Sequence, residues 1–127
     1  MKKQYHLLNY LKFKKVLICL PSLEKLANAK TDKERKKLIS DSKDCVIDAI
    51  SEIALNCLNE NIPLKSCDFD KLVKYKNILR KLSSPSTIKT RKRIINQNGG
   101  FLSILIRPAI SLIAGLLGSY IGKKIRQ

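Results

Sequence analysis

Apolar residues recur at helical intervals along almost the whole chain, and the two-residue alternation of strands is nearly absent, so the pattern predicts an all-α protein. Residues 4–19 read as a first helix, with Pro21 placed to open the next turn after Leu20. "SLEKLANAK" makes a short second helix. Asp32 is placed to cap a third, whose "DKERKK" start mixes both signs and reads as a solvated face. The clearest core helix is 44–58, where Val46, Ile50, Ile53 and Cys57 form one stripe widened by Ile47, Ala54 and Leu58. "NENIPL" stops it, because Pro63 biases Ile62 away from the α region.

Beyond that break, "DFDKLVKYKNILRKL" reads as one amphipathic helix carrying Leu72, Tyr75, Leu79 and Leu82 on its inner face. Lys71, Lys74 and Lys81 flank the stripe on one side, Lys76 and Arg80 on the other. "SSPS" then breaks the chain, with Ser84 or Ser86 as the next cap and Pro85 suited to a first turn. The following "TIKTRKRIINQ" has only Ile88, Ile94 and Ile95 to bury, while Lys89, Lys92 and Arg93 share a face and Arg91 adds a further cation. Gly99 and Gly100 end it, the free φ of glycine suiting a helix terminus.

Residues 101–122 are apolar apart from Arg107, two serines and small residues, and as one helix span about 33 Å, enough for a hydrocarbon core. Two rows of small residues, Ser111, Gly115 and Ser119, then Ala114, Gly118 and Gly122, suit close helix–helix approach. Arg107 and Pro108 oppose a permanent span. A membrane-active or self-associating segment fits better, the alternative being a glycine-containing core helix. The chain thus divides into a small N-terminal helical bundle of mixed charge (1–67), a basic helix-turn-helix-like segment (68–98), and a double-glycine junction with an apolar tail (99–127).

Charge sharpens this division. The formal net charge is +16, and all ten acidic residues lie at or before Asp70. Residues 1–70 hold 13 cations against those ten acids, about +3, whereas residues 71–127 hold 13 cations and no acid, about +13. Lys71, Lys74, Lys76, Arg80, Lys81, Lys89, Arg91, Lys92 and Arg93 are therefore the candidate contacts to a polyanion. Double-stranded DNA bound without sequence preference is the reading the acid-free half favours, with anionic membrane as the competing partner. Contacts to about six phosphates would give log affinity a slope near −5 against log salt.

Other chemistries find little support. Cys19, Cys45, Cys57 and Cys67 lack short paired spacings, and His6 is the sole histidine, so no metal site is expected and the thiols read as small buried apolar groups. No nucleophile lies beside a plausible base and no glycine loop suits phosphate, which argues against an enzyme or a cofactor. Near the start, Lys12, Lys14 and Lys15 cut the apolar run too early for a secretory signal, so this stretch reads as mature protein.

The stretch from Ala54 to Gly122, especially "LNENIPL", "ILRKLSSPSTIKTRKRIINQNGGFL" and the aliphatic residues after it, resembles small basic proteins of the adenovirus-like Polinton (Maverick) elements and adintoviruses. Its end is similar to adenovirus core protein X, the precursor of the mu peptide, in joining a basic region, a double glycine and an aliphatic segment with an early proline. The resemblance implies a virion core protein that helps condense a double-stranded DNA genome in the virion and the host nucleus; without it, an intracellular, membrane-associated protein is the expectation. It also implies cleavage by a viral cysteine protease, with Gln97, Asn98, Gly99 and Gly100 before the cut and Phe101 after it. The mu peptide is far richer in arginine, and the acidic N-terminal region has no counterpart in it.

Overall fold

The computed structural model describes residues 14–126 other than Pro63, with side chains as far as Gly115. Among the described residues there are eight α-helices, one 3-10 turn and no strand, so the chain is all-α. The helices are α1 (Lys14–Ile18), α2 (Leu20–Ala27), α3 (Asp32–Ser40), α4 (Asp44–Leu58), α5 (Ser66–Val73), α6 (Lys76–Ser83), α7 (Ile88–Gln97) and α8 (Leu102–Arg126). The 3-10 turn, Gly99–Phe101, joins the last two. The expected first helix lies partly outside the described residues, but Pro21 does sit in the first turn of α2.

Local chemistry sets the boundaries. At α3 the cap is Thr31 rather than Asp32: its hydroxyl accepts from the Glu34 amide at 3.1 Å, while Glu34 Oε2 accepts from the Lys30 amide at 3.3 Å. A capping hydroxyl one residue earlier leaves Asp32 in the first turn, where its charge suits the helix dipole. α4 ends in a Schellman turn, with the Asn61 amide donating to the Asn56 carbonyl at 2.9 Å and the Glu60 amide to that of Cys57 at 3.2 Å. Glu60 takes the left-handed φ of 59° that this turn requires.

Three expectations about the middle of the chain need correction. The helix expected over 68–82 is two, because the chain turns at Lys74–Tyr75, where the Tyr75 amide reaches back three residues to Leu72. That turn brings the Tyr75 ring against Phe101, centroids 5.7 Å apart. The cap of α7 is Thr87, which accepts from the Thr90 amide at 3.2 Å, whereas Ser84 closes α6 by donating to the Arg80 carbonyl. Pro85 lies in the loop between them. Finally, neither Gly99 nor Gly100 has positive φ, so the junction owes nothing to a left-handed glycine. At Gly99 a β-carbon would stand 3.2 Å from Arg35 Nη1, the far end of a flexible side chain that a small shift would clear.

Helix α4 occupies the middle of the bundle, packed by α1, α6, α7 and α8, while α2 runs against α8. Ile47, Ala49, Ile50, Ile53 and Ala54 are wholly buried on it. The apolar C-terminal segment belongs to this same core: Phe101, Leu102, Leu105, Ile106, Ala109 and Ile113 are at most 2% exposed. Their spacing of three and four residues presents one face of α8 to α2, α4 and α5. Arg107, on the other side, donates to the Ala27 carbonyl at 3.3 Å and so closes the carboxyl end of α2.

Two thiols depart from the buried role expected of all four. Cys45 and Cys67 are exposed, and only Cys19 is fully buried. Burial raises the Cys57 thiol to about 12 and, with a hydrogen bond to Cys45 second, that of Cys19 to about 11.

Burial also lifts the Glu52 carboxyl to about 7, against the opposing pull of Lys15, and its Oε1 has no hydrogen-bond partner among the described residues. The folded state holds this proton more tightly than the unfolded chain. The associated stability is thus full below the ordinary carboxyl range near 4.5 and lost as pH rises through 7. Glu52→Gln should therefore raise the melting temperature at pH 8 and leave it unchanged at pH 4, as measured by circular dichroism; an equal shift at both would refute the titration.

Candidate nucleic-acid interface

The nine cations singled out in the sequence do not act alike once folded. Lys71, Lys74, Lys76, Arg80 and Lys81 are exposed on α5 and α6 and around the turn joining them. Arg91 instead turns inward, its Nη1 donating to Asp48 Oδ1 at 3.0 Å and its Nε to Ser86 Oγ at 3.2 Å. It fastens α7 to α4. Lys92 Nζ donates to the carbonyls of Ser40 and Ser42, at 3.1 and 3.0 Å, closing the carboxyl end of α3.

With α7 held by those two contacts, Lys89 and Arg93 stand exposed one turn apart along an open cleft between α3 and α7. Lys36 of α3 completes it, and Thr90, Asn96 and Gln97 supply neutral hydrogen-bonding groups. No carboxylate lines this cleft. Such a surface attracts phosphate, because the cations face one way and their field is not cancelled locally. Lys36 was missed by sequence reasoning, which assigned its mixed-sign run to a solvated face. Only its position opposite α7, more than 50 residues away, distinguishes it from Lys33 and Lys37.

The residues expected to flank a protease cut lie at the end of this cleft. Gln97 ends α7, Asn98 donates its side-chain amide to the Ile94 carbonyl, and Gly99 begins the 3-10 turn. Phe101 is fully buried, so the Gly100–Phe101 bond sits in a packed turn and not in an extended strand.

Of the small residues expected to pack helices or meet lipid, Ser111, Ala114 and Gly115 are exposed along α8; Gly118, Ser119 and Gly122 lie outside the residues whose side chains are described. Among the described residues no single helix is long and apolar enough to cross a membrane. Ile88–Gln97 and Gly99–Gly115 reach that measure only together, across an 84° bend. No protein family, curated protein or solved structure matches the chain.

Proposed function

We propose that this protein binds double-stranded DNA without sequence preference, with the cleft between α3 and α7 as the centre of its contact surface. The observation that carries the reading is the convergence of Lys36, Lys89 and Arg93 on one cleft that no carboxylate lines. The five exposed cations of α5 and α6 extend the charge available to a phosphate backbone. No catalytic step is part of this role. The resemblance to core proteins of adenovirus-like elements supports placing the activity in a virion core, where an abundant, non-selective DNA binder serves genome condensation.

Fluorescence anisotropy of a random duplex, titrated with full-length protein at several salt concentrations, tests this. Contacts to about six phosphates give a slope of log affinity on log salt near −5. Absence of binding in dilute buffer, or a slope near zero, would overturn the proposal.

A further inference from the structure

The cationic cleft does not end at Asn96. Sharing Lys36, Asn96 and Gln97 with it, a second cavity of about 380 Å³ continues toward the glycine turn and reaches Arg35, Tyr75 and Gly100. That volume is within the range of roughly 300–1,000 Å³ typical of small-molecule sites. The two compartments differ in charge. Around the first, Lys89, Arg93 and Lys36 face no acid; in the second, Asp32 Oδ1 stands 3.0 Å from Arg35 Nη1, so the principal cation there is already neutralised. Apart from Lys36 at the shared end, what remains in the second compartment is amide chemistry, the apolar side chains of Ile39, Ile95 and Leu102, and one aromatic ring.

Asn96 Oδ1 is buried without a hydrogen-bond partner among the described residues, an arrangement that leaves a strong acceptor unsatisfied. The Asn98 side-chain amide is engaged by the Ile94 carbonyl, which fixes that side chain at the cavity wall. Tyr75 lines the cavity with its ring supported by the buried Phe101. Carboxamides suit the donor and acceptor edges of a base, and aromatic rings suit its face.

We propose that the groove takes an unpaired nucleotide, its phosphate held at the Lys36–Lys89–Arg93 end and its base in the adjoining cavity beside Asn96 and Tyr75. The inference rests on the nucleic-acid reading above and deepens it: a single-stranded segment or end is the preferred substrate, because a base within a duplex is not free to enter.

Gly100 offers a clean obstruction. A β-carbon there meets nothing within 4 Å and its φ is not positive, so Gly100→Trp should fill the cavity without disturbing the turn. The test measures full-length wild type, Gly100→Trp and Tyr75→Leu, both at residues that line the second cavity and not the duplex cleft, against labelled 12-nucleotide single strands and against a duplex of equal length at one salt concentration. Circular dichroism melts confirm that each variant is folded. The wild type should prefer the single strand, and both variants should lose about tenfold on it while staying within twofold on the duplex. Equal losses on both nucleic acids would make the cavity part of a general phosphate track, and unchanged single-strand affinity would leave it empty; either overturns the inference while the duplex reading stands. Failure to bind either nucleic acid overturns both. Should Gly100→Trp not fold, Tyr75→Leu decides by the same criterion.

Discussion

Ending the chain at Gly100 should abolish cooperative folding. The deletion removes Phe101, Leu102, Leu105, Ile106 and Ile113, all at most 2% exposed in the shared core. Full burial of each such side chain is worth about 1.5–3 kcal/mol, or about 8–15 kcal/mol for the five. That matches the entire stability of a typical domain, about 5–15 kcal/mol. Residues 1–100 should accordingly show no sigmoidal thermal transition by circular dichroism, whereas the full chain shows one. The single substitution Phe101→Ala should cost about 3–5 kcal/mol, because it empties a site with no exposed edge. A cooperative melt of the shortened chain near that of the full protein would refute this account of the core. The prediction bears on the tail's expected membrane activity: for residues 101–113 to meet lipid, those side chains must leave α2, α4 and α5.

Reversing Lys36, Lys89 and Arg93 together to Glu should eliminate DNA binding at about 0.1 M salt. Each phosphate contact releases about 0.9 of a counterion, nearly a factor of ten in affinity at that concentration. Three lost contacts amount to a decrease of more than about 100-fold, and the introduced carboxylates add repulsion. The salt slope should also become shallower by about three. All three residues are exposed and make no hydrogen bond or ion pair among the described residues, so the melting temperature should change little. Arg91 and Lys92 are excluded because their reversal would oppose Asp48 with a like charge and strip the end of α3. Retention of wild-type anisotropy by the triple variant would remove the cleft from the binding surface.

What the sequence revealed followed from periodicity. The stripe of Val46, Ile50 and Ile53 marked α4 as the core helix, and the absence of strand alternation fixed the class. Partners across long separations were not readable in this way. Arg91 and Lys92 look like any two members of a basic run, and only the positions of Asp48 and of the Ser40–Ser42 backbone make them internal ties. Lys36 shows the converse, since helical spacing places it on a solvated face but says nothing of which helix lies opposite. The apolar stretch after Gly100 is ambiguous in sequence for a compositional reason: a helix that is apolar all round fits a core or a lipid phase equally well. Tyr75 and the turn beside it were hidden because the local pattern runs smoothly from Leu72 to Leu82, while the break serves a contact with Phe101 26 positions away.

Having no carboxylates after Asp70, the second half of the protein meets two of its cations with peptide dipoles. Lys92 caps α3 through the carbonyls of Ser40 and Ser42, and Arg107 caps α2 through that of Ala27. Carbonyl oxygens take up no proton in ordinary acid. Attachment of the last two helices through these two closures is thereby insulated from acidification.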